Sequence, residues 1–527
     1  MTTEEQPVLD LEIPREAGGP RRRGGRAAHE RSRLPPQRPF RQPRMHYQPT
    51  EPLSADELES IHQASLRVLS EIGMDFLDPD ARERLRHAGA QVTDGANRVR
   101  FDPAMVEERI RTAPPEFTLH APNPERYLQM GGAWMAFGTV GSPPNVADLD
   151  RGRRIGNRED YQNLLRLGQS LNSVHFLAGY PVEPVDIHPS IRYLHATHDA
   201  LTLMDKAIHC YSLGRQRNLD VLEMVRIARG VEDAALDREP SVFTVVNTSS
   251  PLRLDTPMSQ GVIAFAERSQ VVCITPFTLS GAMAPVTLAG ALVEQNAEAL
   301  AGMVLTQVVR PGSPVIYGGF TSNVDMQSGA PAFGTPEYMR TAMIGGQLAR
   351  RYRVPYRSSN VCAANALDAQ AAYESVFSLW GAIMGGVNML MHGAGWMEGG
   401  LHAGYEKMIL DAELLGMVEA FLEPVDVSDE TLAVDAIREV GPGGHFFGVG
   451  HTQARFKTAF HKPMLSDWRN YESWQEAGSP ELPGKANRVW KELLAAYEPP
   501  PMDPSIREEL DAFVARRVEE GGVPTDY

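Results

Sequence analysis

The chain has 527 residues, 42% hydrophobic and 22% charged, which is ample apolar material for a large core. A formal net charge of −16 argues against nucleic acid as a partner of the folded body, because phosphate contacts need clustered Lys and Arg. The three cysteines, Cys210, Cys273 and Cys362, form no CxxC pair, which argues against a disulfide framework and fits a reducing cytoplasm.

The first residues are acidic and carry no apolar signal core. Ten arginines lie between Arg15 and Arg44 among many Pro and Gly, so residues 1–44 read as a disordered tail, with a docking arm for an acidic partner as the sharper alternative. Ser54 caps a helical pattern, and short extended pieces follow at 98–101 and 133–138. Residues 45–156 therefore read as an N-terminal helical and β extension.

From residue 157 to 430, short apolar runs alternate with helical patterns. The predicted strands are 175–180, 207–213, 241–248, 270–277, 314–320, 354–360 and 387–395. The predicted helices are 191–204, 216–230, 257–267, 286–309, 336–351, 368–384 and 404–422. Strands this short and this apolar are covered on both faces, and regular alternation implies parallel pairing with right-handed crossovers. Eight such units close a (β/α)8 TIM barrel. Seven are countable, and the eighth strand comes either from 133–138 or from 445–450. An open doubly wound sheet is the alternative, but no GxGxxG fingerprint or Walker loop is present. The longest apolar stretch, near 270–293, is broken by Pro276 and Pro285 and reads as strand, loop and helix rather than a membrane span. Residues 431–527 read as loops followed by two helices packing on the barrel, near 485–497 and 503–521.

A barrel places its chemistry on the loops after the strands. Those positions here hold Tyr180, Glu183, Asn247, Thr275, Phe277, Phe320, Asn323, Asp325, Asn360, His392 and Trp396, and lysines are missing from them. Aromatics and amides with few cations suit a small cationic ligand, since a quaternary ammonium has no N–H and is held by aromatic faces and a nearby carboxylate. Each assignment has a plainer competitor. Phe320 and Tyr317 fit a core, His392 fits a satisfied core histidine, Asp325 and Glu337 fit helix-cap or first-turn acids, and Glu374 fits a structural role within its helix.

The stretches YGGFTSNVDMQSGAPAFGTPE (317–337), PYRSSNVCAANALDAQAAYES (355–375), MHGAGWMEGGL (391–401) and GHFFGVGHTQARF (444–456) resemble the trimethylamine methyltransferase family, in order from about residue 50 to the C-terminus. The resemblance implies a barrel enzyme that passes a methyl group from an amine to the cobalt of a corrinoid on a separate protein. No cofactor would be bound tightly by this chain. The namesake enzymes carry pyrrolysine, whereas this sequence has standard residues throughout, and the corresponding place falls within 360–370. That departure points to a small quaternary amine such as glycine betaine. On this reading Phe320 and Trp396 form a cage wall, Asp325 supplies counter-charge, and Asn323, Asn360 and His392 hold a carboxylate or orient the substrate. Asp325 and His392 are the catalytic candidates, and no metal ligand set is expected. Neither nucleic acid nor membrane is an expected partner, and a homo-oligomer stays open. Two rival readings remain: a zinc-dependent barrel methyltransferase using the cysteines near strand ends, and a non-catalytic betaine-binding or sensor protein on the same fold.

Overall fold

The computed structural model describes residues 34–93 and 95–524. Seven strands pair in parallel: β1 (Ala136–Thr139), β2 (Ile208–Tyr211), β3 (Val242–Val246), β4 (Val271–Ile274), β5 (Val315–Gly318), β6 (Tyr356–Ser359) and β7 (Met389–Ala394). Their order is β1-β7-β6-β5-β4-β3-β2. The two ends meet through Phe176, which bridges Gly138 of β1 and Ala207 beside β2, both in parallel. The ring is therefore an eight-stranded barrel whose second strand is reduced to one bridging residue. Eight helices follow the eight positions: α1 (Arg158–Ser170), α2 (Pro189–Leu203), α3 (Arg215–Arg229), α4 (Thr256–Glu267), α5 (Leu288–Val309), α6 (Pro336–Tyr352), α7 (Ala369–Met384) and α8 (Tyr405–Phe421).

The barrel thus begins before residue 157. Its first strand lies within the expected N-terminal extension, at 136–139, and the alternative at 445–450 holds no strand. Phe137 and Leu390 sit opposite each other in the β1–β7 register, so this short run is fixed by pairing with the far end of the chain. Local pattern could not choose it. The barrel interior is filled by alternate strand residues, including Ala136, Phe176, Phe243, Val271, Cys273, Ile316 and Met389.

The N-terminal helix Ala55–Arg67 starts at Ser54, whose hydroxyl accepts from the Glu57 N–H while the Glu57 carboxylate takes the Ser54 N–H at 2.9 Å. The helix packs on α5 and is tied to it by Asn296, which donates to Ser65 Oγ at 3.0 Å.

Residues 1–33 of the expected tail lie outside the described residues. Residues 35–44, assigned to the same tail, are instead packed across the N-terminal ends of the strands. Gln37 donates to Ser170 O at 3.0 Å and accepts from Asn172 N at 2.9 Å. Phe40 packs 5.2 Å from His175, and Arg44 lies 4.7 Å over Trp134. Individual side chains find fixed partners on the barrel, so no periodic apolar pattern is needed to order this segment. The C-terminal helices Leu482–Ala495 and Pro504–Glu519 pack on α8 and α1 and on α2 and α3 respectively.

Candidate active site

At the C-terminal end of the ring is a cavity of about 300 Å³, lined by residues from all eight strand positions or their loops. A larger depression of about 670 Å³ lies at the opposite end, against Met45, Tyr47 and the starts of β6 and β7. Barrel chemistry belongs to the former end, where the unpaired Arg357 Nε, His209 Nδ1 and Trp396 indole N–H lie among the lining residues.

Phe320 is the hub of the cavity wall. Its ring lies 5.1 Å from Phe277, 5.7 Å from Phe333 and 6.2 Å from Trp396. Trp396 stands 4.2 Å from the His392 ring. The Gly-rich run after Trp396 makes room for it. Gly400 has φ +95°, and a Cβ there would sit 2.6 Å from the indole, so no other residue fits without displacing Trp396. The loop is anchored from below by a fully buried pair. Lys407 Nζ donates to Asp411 at 2.5 Å and to Ser375 Oγ at 2.8 Å, and the second Asp411 oxygen accepts the Gly395 N–H at 2.8 Å.

The decisive residue is Arg357, in the middle of β6. Strand alternation turns Tyr356 outward, where its hydroxyl donates to Ala342 O of α6, and so turns Arg357 into the ring. Its guanidinium is buried and stacks 5.2 Å over Phe320. Nη1 donates to Gly319 O at 3.3 Å, Nη2 lies 3.5 Å from His392 Nε2, and Nε has no partner. Among the described residues no Asp or Glu lines the cavity, so this buried cation has no counter-charge from them there.

His392 sits at a register shift between β7 and β1, with φ +55°. A β-bulge with a left-handed non-glycine residue stores strain and re-aims a side chain. Gly141 N–H donates to His392 Nδ1 at 3.2 Å, so the proton of the neutral ring belongs on Nε2, beside Arg357. Burial, with Arg357 adding repulsion, holds the imidazole pKa well below its ordinary value, so the ring is neutral. Val245 N–H donates to His209 Nε2 at 3.1 Å, leaving the Nδ1 proton unpaired. Burial and then Arg357 depress the His209 pKa to about 3. The Trp396 indole N–H is buried and unpaired as well. Arg357, His392, His209 and Trp396 therefore present donors to a cavity without a carboxylate. Such a set is complementary to an anionic group on a ligand.

Of the residues selected from sequence, Phe320, Trp396 and His392 come together here, as do the strand-end residues Asn247, Thr275 and Phe277. Asp325 does not reach the cavity. It occupies an exposed turn in which its carboxylate accepts from Gln327 N at 3.2 Å, Ser328 N at 3.1 Å and Ser328 Oγ at 2.5 Å. The Ser328 hydroxyl lowers its pKa, and the carboxylate is consumed by its own turn. Asn323 accepts from Thr335 Oγ1 at 3.0 Å and ties the loop to the start of α6. Asn360 is buried and donates to Gly393 O at 3.1 Å, joining β6 to β7 rather than lining the cavity. Glu374 accepts from Ala363 N at 2.7 Å and Ala364 N at 3.0 Å, a structural role in the 360–370 loop.

Sequence reading missed Arg357, His209, Tyr211 and Phe333. A signal existed for the first two. A charged or imidazole side chain at the centre of a strand covered on both faces has only the ring interior to occupy. As for zinc, no three His, Cys, Asp or Glu side chains converge as a metal site among the described residues. The cysteines lie on separate strands and loops. Burial raises all three thiol pKa values, to about 11 for Cys273 and about 12 for Cys362, which disfavours the thiolate a metal needs.

The chain matches the family "Trimethylamine methyltransferase (MTTB)" over residues 20–522. It belongs to that family. It is 36% identical over 471 residues to glycine betaine methyltransferase of Desulfitobacterium hafniense (strain Y51), covering 89% of this chain and 98% of that protein. It is 30% identical to the trimethylamine methyltransferase MttB of Desulfitobacterium hafniense (strain DSM 10664 / DCB-2), covering 89% and 94%. In fold it is similar to the crystal structure of Methanosarcina barkeri monomethylamine methyltransferase (MtmB), with TM-score 0.50, 13% identity and 88% of each chain covered. Among the described residues, no helix of this family member is long and apolar enough to cross a membrane.

Proposed function

We propose that this chain transfers a methyl group from glycine betaine, or a betaine of similar size, to cobalt(I) of a corrinoid carried by a separate protein. The observation that carries the reading is the union, in one 300 Å³ cavity, of an aromatic wall and the buried donors Arg357, whose Nε has no partner, and His392. The wall suits a trimethylammonium head. The donor pair suits a carboxylate, and Arg357 opposes a cation that brings no carboxylate with it. A zwitterion satisfies both halves. The 36% identity to a glycine betaine methyltransferase supports the same substrate class.

The residues of the cavity hold and align the substrate. Anchoring the carboxylate on Arg357 and His392 directs the ammonium toward Phe320 and Trp396 and leaves a methyl group facing the open mouth. The C–N bond breaks with its electron pair left on nitrogen, so the leaving amine is neutral and no side chain needs to donate a proton. Two neutral imidazoles and the lack of a carboxylate in the wall are consistent with that. Cobalt(I) supplies the electron pair for the new bond to carbon. Rate then depends on alignment and exclusion of water.

The loops around the mouth expose Leu149, Ile155, Val286, Met326 and Leu401. An apolar rim of this kind gives the corrinoid protein a docking surface over the cavity. The chain acts in the cytoplasm, where a reduced corrinoid acceptor is available.

The test is turnover. Glycine betaine and cob(I)alamin, free or on a corrinoid protein, should yield dimethylglycine in the presence of the purified chain, while trimethylamine and tetramethylammonium should not react. Tight betaine binding without turnover by any corrinoid acceptor would instead establish the sensor reading. Turnover of trimethylamine in preference to betaine would overturn the assignment of Arg357.

A further inference from the structure

A second cavity adjoins the first. It holds about 140 Å³ and lies between the end of β2 and helices α2 and α3, with Glu183, Arg192, Tyr193 and Arg217 in its lining. Tyr211 and His209 line both cavities and form their shared wall. The Tyr211 hydroxyl is fixed there: it accepts the Tyr180 N–H at 2.9 Å and pairs with Ser142 Oγ at 2.7 Å. Gly179, at φ +139°, allows the close approach, since a Cβ there would stand 2.6 Å from that hydroxyl. Methyl transfer uses none of the charged groups behind this wall.

Charge accounting singles out Arg217. It is 8% exposed and stacks 5.5 Å over the Tyr193 ring, yet its Nε has no partner and its Nη2 reaches only Pro189 O, at 3.5 Å. The acids nearby are committed elsewhere. Asp220 accepts the Tyr193 hydroxyl and binds Arg517 through both oxygens, at 3.1 and 3.0 Å. Glu183 pairs through Oε1 with Arg192 at 2.7 Å, which leaves its Oε2 open. Arg217 therefore has no carboxylate partner among the described residues. It stands in the first turn of α3, whose N-cap Gly214 supplies no side-chain cap, so the helix end adds positive potential beside it. A buried guanidinium in that state favours an anion in the chamber.

Building on the methyl-transfer reading, we propose that this chamber is a second ligand site, selective for a small zwitterion that carries an N–H, and that the demethylated product is its ligand. Arg217 takes the carboxylate, and Glu183 accepts from the ammonium. The chemistry separates product from substrate. The nitrogen of a betaine bears no hydrogen, so it brings charge to Glu183 but no hydrogen bond. The departing tertiary amine takes a proton from water at neutral pH and becomes a charge-assisted donor. A volume of about 140 Å³ is room for roughly four to five waters at ~30 Å³ each, which suits a molecule as small as dimethylglycine. A corrinoid protein seated over the mouth blocks the direct way out, and the chamber gives the product a place one wall away.

Titration calorimetry on Arg357→Met tests the proposal, because the central carboxylate clamp is then absent. Dimethylglycine should still bind that variant, and acetate and glycine betaine should bind it about tenfold more weakly than dimethylglycine does. Adding Arg217→Met should weaken dimethylglycine by about tenfold or more, the loss of a hydrogen bond to a charged group. Adding Glu183→Gln instead should bring dimethylglycine down to the level of acetate. Dimethylglycine that does not bind Arg357→Met, or binds it regardless of Arg217→Met, would overturn the chamber. Acetate bound as tightly as dimethylglycine would overturn its selectivity for an N–H. Arg217→Met removes a buried cation without a counter-ion, so the melting temperature should not fall. If the double variant does not fold, the ranking of the three ligands on Arg357→Met decides alone. Glycine betaine that binds Arg357→Met as well as wild type counts against the clamp and the methyl-transfer reading. Dimethylglycine that fails to bind it counts against the chamber alone.

Discussion

Replacing Arg357 by Met keeps a long side chain of similar reach but deletes the charge and the donors. The structure allows both consequences to be sized. Hydrogen bonds to a charged group contribute about 1.5–3 kcal/mol each, so losing a two-donor clamp on the betaine carboxylate costs about 3 kcal/mol. At 1.36 kcal/mol per tenfold, that is roughly a 100-fold loss of betaine affinity. A cation without a carboxylate should respond in the opposite direction. The guanidinium lies 5.2 Å from the Phe320 ring, which places it on the order of 6 Å from an ammonium held on the aromatic wall. Two like charges at that distance repel by about 3 kcal/mol at an effective dielectric of 20. Tetramethylammonium should therefore bind the variant up to about 100-fold more tightly. Isothermal titration of both ligands against both proteins reads the inversion directly. A buried charge without a counter-ion is also a cost to folding, so the variant should melt no lower than the parent. If both ligands weaken together, or if betaine affinity is unchanged, Arg357 is not a carboxylate clamp.

Trp396→Ala should weaken betaine by about 10-fold, in line with ~0.5–2 kcal/mol for a desolvated cation–π contact, and equal affinity in a titration would remove Trp396 from the cage. Asp325→Asn should leave betaine affinity and kcat/KM within about twofold, because its carboxylate serves an exposed turn; a loss beyond about tenfold would restore it to the site. Burial depresses His175 to about 4 and His209 to about 3. The unfolded chain takes up protons near pH 6.5 that the folded chain refuses. Stability from these two groups is therefore complete above pH 6.5 and is lost as pH falls toward 3. Each contributes a slope of about 1.4 kcal/mol per pH unit over that window, while Glu294 and Glu419, raised by burial to about 7 and about 8, contribute the opposite slope. The imidazole resonances of the two rings should therefore show no protonation between pH 6.5 and 5 by NMR, and a titration step in that range would mean that the rings are charged in the fold.

The rhythm of the barrel was plain in the sequence because each βα unit carries its own signal. Val242–Val246 and Val271–Ile274 are β-branched runs, and Pro336 and Thr335 mark the start of α6 with residues that cap helices in any context. What could not be read was whatever depends on closure. Ala136–Thr139 is a strand because Met389 and Leu390 pair with it. Phe176 completes the ring with a single bridge on either side. The same holds for the site. Position after the strands announced Phe320 and Trp396, since the loops there face the barrel mouth. The acid was misread because loop position alone cannot distinguish a carboxylate aimed at a ligand from one spent on Gln327 and Ser328. Arg357 lies within its strand rather than at the strand end, and alternation within VPYRSSN turns this central residue into the ring.

The position of Arg357 also bears on rate, and the argument runs against the intuition that a cage for a cation is itself catalytic. The substrate nitrogen is fully positive when bound and neutral once the methyl has left. Aromatic faces that hold the ammonium therefore stabilise the bound state more than the transition state, and by themselves slow the chemical step. Arg357 acts in the other direction. Its carboxylate contact is unchanged along the reaction, while its repulsion of the nitrogen fades as the nitrogen's charge fades. If half of the charge is lost at the transition state, about half of a 3 kcal/mol repulsion is relieved, or roughly tenfold in rate. The clamp thus spends uniform binding energy at one end of the substrate to hold the other end in an unfavourable field. Arg357→Met should accordingly lower kcat by about tenfold even at saturating betaine, in single-turnover experiments with excess reduced corrinoid acceptor. A variant whose entire defect lies in KM would show that the guanidinium binds the substrate without favouring its departure.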